Sequence, residues 1–156
     1  MRIYGRRPLT RLEAGIYGGL AAVLLTALAL RLVDYMEVAE RAAMEATLMQ
    51  LMSAGATRLA YGTMRGGAQD VATRNPFELA GISPRNFSGE IDPLQPKALE
   101  RGFWAFDRDR HELIYLPRLR AALQTSDPEG AIRFRVEVNT KEMRYQLVPT
   151  SPYQWE

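Results

Sequence analysis

The chain contains no cysteine, which excludes disulfides, thiol catalysis and thiolate metal sites. The absence says nothing of compartment, because a periplasmic protein need not contain disulfides. A lone histidine, His111, rules out a multi-histidine metal centre within one chain. Net charge is only +2, and no basic run is interleaved with aromatic residues, so nucleic acid is not an expected partner. No serine or aspartate stands in a nucleophile-elbow context. Neither an enzyme activity nor a cofactor is expected. Proline is missing from the whole stretch between Pro8 and Pro76, which leaves room for a very long helix.

What the sequence does have is an unevenly placed apolar run. Residues 14–30 carry no charged side chain, a stretch of 17 residues. As a helix it is about 26 Å long, slightly short of a hydrocarbon core of roughly 30 Å. Arg31 can snorkel outward and let Leu32 and Val33 extend the run. Arg2, Arg6, Arg7 and Arg11 precede it, whereas Asp34, Glu37 and Glu40 follow. The positive-inside rule then expects a cytoplasmic N-terminus and the bulk of the chain on the far side. Two other readings stay open. One is a buried core helix. The other is a cleavable signal peptide, for which Ala27-Leu28-Ala29 offers an A-x-A-like site.

Beyond Val33 the composition changes and the helical period persists. Tyr35, Val38, Ala42, Ala46, Met49, Met52, Ala56 and Leu59 recur at steps of three and four, as one face of an amphipathic helix would. Glu37, Glu40, Arg41 and Glu45 fall mostly away from that stripe and read as a solvated face. One helix from about Leu9 to about Tyr61 is expected, ending at Gly62 or the Gly66-Gly67 pair. Thr10-Arg11-Leu12-Glu13 fits a capping box, with Glu13 reaching back to the Thr10 N-cap. Gly15 and Gly19 make a G-x-x-x-G pair on the apolar helix, a spacing that lets helices approach closely in lipid.

The soluble half divides in two. Residues 63–101 are punctuated by Gly66-Gly67, Asn75-Pro76, Ser83-Pro84, Asp92-Pro93 and Pro96, and read as a long connecting loop. Phe77, Leu79, Ile82, Phe87, Ile91 and Leu94 would pin it, and residues 76–80 suit a single helical turn. Residues 102–156 read as strands. "GFWAFD" and "ELIYLP" flank "RDRH" as a hairpin, "AIRFRVEVN" alternates strictly, and "MRYQLVP" returns after "TKE". A four-stranded antiparallel meander with one buried face follows, covered by the stripe of the long helix. The fold class is thus α+β.

The segment from Pro8 to about Tyr61 resembles the N-terminal helix of type IV pilins and type II secretion pseudopilins. Their pattern is a short basic leader, a cleavage point, a hydrophobic residue, threonine, two mostly apolar residues and glutamate. Leu9-Thr10-Arg11-Leu12-Glu13 keeps that order and spacing. The resemblance implies five parts: a cytoplasmic leader (1–8), a transmembrane half-helix (9–33), an amphipathic half-helix (34–62), a connecting loop (63–101) and a sheet (102–156). It implies processing and assembly residues Pro8, Leu9, Thr10 and Glu13. Cleavage before Leu9 would free an amine that Glu13 of a neighbouring subunit pairs with. Implied partners are other pilin or pseudopilin subunits, the inner membrane, a prepilin peptidase and an assembly platform protein. The soluble part would be periplasmic, or extracellular within a filament. Three positions depart from the pattern: Pro8 replaces the usual glycine, Arg11 replaces an apolar residue, and Leu30 stands where the family has a helix-breaking proline. If Pro8 blocks cleavage, the chain keeps its leader, and Glu13 keeps its capping role or pairs with an arginine of a neighbour.

Asp107, Asp109 and Glu112 gather around the "RDRH" turn, and some pseudopilins bind calcium in this domain. Carboxylates are suitable hard ligands, but Arg108, Arg110 and His111 would repel a cation, so a solvated turn is the expectation and no metal is assigned. Trp104 and Trp155 read as core or rim residues.

Overall fold

The computed structural model describes residues 10–62, 68–91 and 99–155. The chain divides into two units, Met1–Met36 and Glu37–Glu156. One helix, α1 (Arg11–Gly62), runs through both. Its 52 residues are rich in alanine, leucine, methionine and glutamate and contain no proline, so nothing interrupts the hydrogen-bond ladder.

In the first unit every described residue, Thr10 to Met36, is exposed. The side chains are nevertheless apolar, among them Ile16, Leu20, Val23, Leu24, Leu25, Leu28 and Leu32. The helix is long and apolar enough to cross a membrane, and none of its most apolar window is buried in the chain. The buried-core reading of this segment is therefore corrected: none of the described residues encloses it. The polar group inside the run is satisfied locally, with the Thr26 hydroxyl donating to the Ala22 carbonyl at 2.9 Å.

The second unit is α+β. A five-stranded sheet has the order β1-β2-β3-β5-β6, built from β1 (Phe87–Ile91), β2 (Phe103–Asp107), β3 (Glu112–Leu116), β5 (Ile132–Asn139) and β6 (Arg144–Pro149). β4 (Leu123–Thr125) and β7 (Tyr153–Trp155) make a separate antiparallel pair. Two short helices, α2 (Ala68–Thr73) and α3 (Pro76–Ala80), precede β1. The expected meander is present as β2-β3-β5-β6, all antiparallel. The expectation of four strands is corrected by β1, which lies within the supposed loop and pairs parallel to β2. Its sequence, Phe-Ser-Gly-Glu-Ile, has too little apolar alternation to announce a strand. The Asn86 carbonyl accepting from Trp104 N at 2.8 Å, and Asn86 Nδ2 donating to the Gly102 carbonyl at 2.8 Å, dock its start.

The expected single turn at 76–80 is α3. Pro76 occupies its first position, the Asn75 side chain accepts from Phe77 N at 3.0 Å, and Gly81 closes it with a positive φ of 67°. α2 packs against β5 and contributes Val71 to the core.

Packing corrects the helical stripe as well. Met44, Leu48, Leu51 and Leu59 of α1 are buried in one cluster with Phe77, Trp104, Leu113, Tyr115, Ile132, Phe134, Tyr145 and Leu147. Tyr35, Val38 and Met49, expected on the core face, are exposed. An alanine-rich helix offers two sets of positions with the same period, and the larger side chains settle which set is inside. Gly55 sits in that buried row because the Tyr145 ring lies against it: a Cβ there would overlap the ring. The sheet is also not covered on one face alone. Leu99, Ala105, Ile114 and Ala131 form a second cluster, so β2 and β3 are buried on both sides. β5 keeps the expected alternation, with Ile132, Phe134 and Val136 buried and Arg135 and Glu137 exposed. Both tryptophans, Trp104 and Trp155, are core residues.

Candidate functional site

Two places on α1 carry polar chemistry next to apolar surroundings. The first is its N-terminus. The Glu13 carboxylate accepts from Thr10 N at 2.8 Å and from the Thr10 hydroxyl at 3.0 Å, while Glu13 N donates back to the Thr10 hydroxyl at 3.3 Å. This is the reciprocal capping box expected from the sequence, and it places an anion at the positive end of the helix dipole. Pro8 and Leu9 lie outside the described residues. Gly15 and Gly19, with Gly18 between them, have none of the described residues near the position a Cβ would take.

The second place was not anticipated. Glu37 and Glu40 stand one turn apart at the start of the second unit, and Glu37 is only 6% exposed. Its Oε1 accepts from the Trp155 indole N–H at 2.9 Å and from Ala122 N at 2.9 Å. Glu40 Oε1 accepts from the Tyr115 hydroxyl at 2.8 Å and from Arg118 N at 2.6 Å, and its Oε2 accepts from Leu119 N at 3.0 Å. Arg41 adds a bond from Nη1 to the Trp155 carbonyl, with its Nε held by Glu45 at 2.9 Å. Together these fasten β7, the end of β3 and the segment 117–122 onto α1. The expectation that Glu37 and Glu40 form a solvated face is corrected: each carboxylate is an acceptor for groups that would otherwise be left unpaired. Burial, with the Glu40 carboxylate next to it, pushes the Tyr115 hydroxyl well above its ordinary pKa.

A signal for this latch did exist. Glu37 and Glu40 continue the row Met44, Leu48, Leu51, Gly55 and Leu59 at steps of three and four. Two acids in register with a buried row ask for donors. Their donors, Tyr115 and Trp155, lie 75 and 118 residues away along the chain, a separation no local pattern spans.

The four residues of the "RDRH" turn are exposed, as expected of a solvated turn, whereas the carboxylates on either side of it are not. Asp107 and Glu112 are buried. Asp107 Oδ1 accepts from Asp109 N at 3.0 Å and Arg110 N at 2.9 Å, and Glu112 Oε1 accepts from Arg135 at 2.8 Å. These carboxylates are committed to the turn and to an ion pair. Asp109 and His111 are exposed, and His111 adopts a positive φ of 52°. Among the described residues no group of three potential ligands could hold a metal.

A groove of about 510 Å³ lies over the outer face of β5, lined in part by Arg110, Arg133, Asp127, Glu112 and Ser151. Arg133 Nε pairs with Asp127 Oδ2 at 2.7 Å, so much of its charge is internally neutralised. Burial alone would raise the Asp127 carboxyl, but bonds from Arg133, Glu129 N and Ala131 N outweigh it and hold it below the ordinary range. No family model, curated protein or solved structure matches the chain.

Proposed function

We propose that this chain is a non-enzymatic, pilin-like subunit, a pseudopilin or minor pilin of a type IV pilus or type II secretion-type filament. It would sit as a single-pass protein of the inner membrane, with a cytoplasmic N-terminus and the domain 37–156 in the periplasm. One observation carries the reading: a single helix is wholly exposed and apolar over its first unit and core-forming over its second. An exposed apolar helix needs lipid or other helices around it. In the bilayer it is an anchor. Among sister subunits the same surface becomes packing surface, with Gly15 and Gly19 open to a neighbour. The sheet domain then forms the outside of the assembly. A prepilin peptidase and an assembly platform protein would be the processing and assembly partners.

The capping box favours a second reading. Glu13 Oε2 is already served by Thr10 within its own chain, so a capping role accounts for this carboxylate without a neighbour's amine being required for its local bonds. The alternative is a membrane-anchored periplasmic interaction module that keeps its leader and stays out of filaments.

Mass spectrometry of the mature N-terminus separates the two. A methylated start at Leu9 supports filament entry, an intact leader supports the anchored module, and a start at Leu30 would overturn both in favour of a secreted domain. Glu13→Ala should abolish co-assembly with partner subunits while leaving membrane insertion intact.

A further inference from the structure

The latch on Glu37 and Glu40 fixes more than the fold. It also sets which segment of the domain lies beside the first residues of the second unit. Tyr35 is exposed and stands two residues beyond Val33, where the apolar run ends. Tyrosine favours the headgroup level. Only Met36 separates Tyr35 from Glu37, so the two lie at most about 7 Å apart along the chain whatever its conformation. Glu37 and Glu40 bind the backbone of Arg118, Leu119 and Ala122 directly. Segment 117–122 is therefore held beside the point where the chain leaves the membrane.

That segment carries Arg118, exposed, and Arg120. Gly102 leaves room for the Arg118 guanidinium, whose Nη2 lies 3.0 Å from where a Cβ would stand, and the residue before Gly102 is the exposed Arg101. Neither Arg101 nor Arg118 has an ion-pair partner among the described residues. Arg120 spends one donor on the Glu129 carbonyl at 3.0 Å. Glu37 and Glu40 form no ion pair with these guanidiniums among the described residues; their bonds come from Trp155, Ala122, Tyr115, Arg118 N and Leu119 N. Guanidinium forks without carboxylates match phosphate oxygens.

We propose that Arg101 and Arg118 form a contact surface for the phosphates of anionic phospholipids in the bilayer that α1 crosses. The proposal rests on the reading of residues 14–33 as lipid-embedded, which both functional alternatives share. The surface would hold the domain against the membrane until its helix is withdrawn.

The absence of native cysteine makes the test clean. The full chain carrying Ala121→Cys, or separately Val23→Cys, is spin-labelled and reconstituted in phosphatidylcholine vesicles with or without phosphatidylglycerol. The Ala121→Cys label should report the headgroup layer and lose mobility when phosphatidylglycerol is present. Native mass spectrometry should show phosphatidylglycerol retained over phosphatidylcholine. Arg118→Gln and Arg101→Gln should each lower that enrichment about fivefold. Equal retention of the two lipids, or enrichment that survives both substitutions, overturns the proposal. So does an Ala121→Cys label in bulk water while the Val23→Cys label lies in hydrocarbon. A Val23→Cys label in water overturns it together with the membrane reading beneath it.

Discussion

The two parts of α1 are built from similar residues and meet opposite surroundings. Between Thr10 and Met36 leucine, valine and isoleucine are all exposed, and the apolar character goes round the helix. From Glu37 onward one row is buried, and the other carries Val38, Ala42, Met49 and Ser53 into solvent. Glycine makes the same point. Among the described residues nothing lies near a Cβ at Gly15, Gly18 or Gly19, whereas Gly55 is required by a tyrosine ring. A helix can thus be specified twice over in one stretch of chain: by all-round hydrophobicity for one solvent and by a single stripe for another.

Substitutions that should be harmless in one part and costly in the other sharpen this contrast. The largest effect is expected for Leu51→Ala, which empties a fully buried position and should cost about 2–5 kcal/mol. Leu25→Ala in the exposed part should leave unfolding of the sheet domain within about 0.5 kcal/mol of the parent. Denaturant titration of the full chain in detergent, followed by the fluorescence of the two buried tryptophans, measures both. Next comes Glu37→Ala, which strands the Trp155 indole N–H and Ala122 N and should cost about 1–3 kcal/mol, with a shift in Trp155 emission. Gly55→Ala should destabilise by about 1–3 kcal/mol through overpacking, despite alanine's better helix propensity. Gly18→Ala should leave the same transition unmoved.

The smallest effect is on pH dependence. Tyr115 has a raised pKa in the folded state, because it is buried and bonded to Glu40. Its neutral form contributes stability that is complete below the unfolded value of about 10 and is lost as pH rises beyond it. Tyr115→Phe should flatten the alkaline limb of the stability profile, read from denaturation midpoints on either side of that value.

Much of this was legible in the sequence because it is local. The capping box at Thr10 and Glu13, the turn at 76–80 and the alternation of β5 depend on neighbours three or four residues away at most. The rest depends on distant partners. β1 is a strand because β2 offers an edge, and its own residues do not ask for one. The inner row of α1 is chosen by Trp104, Tyr115 and Phe134, which the helix meets only after the chain has turned back on it. The pair β4 and β7 is too short, at three residues each, to stand out from turn sequence. Glu37 and Glu40 depart from the expected solvated face for a related reason. Charge usually marks the outside, and only the placement of Tyr115 and Trp155 turns these acids inward.

On the proposed reading, one helix passes from lipid into a protein core. Cysteine accessibility scanning along residues 14–60, on a chain with no native cysteine, tests it most directly. In bilayers, protection should be continuous across 16–33 and then periodic, with protection recurring at Met44, Leu48, Leu51 and Leu59. Removing the bilayer should abolish the first pattern and keep the second. Periodic protection within 16–33 that persists without lipid, or uniform reactivity after Glu37, would contradict the claim.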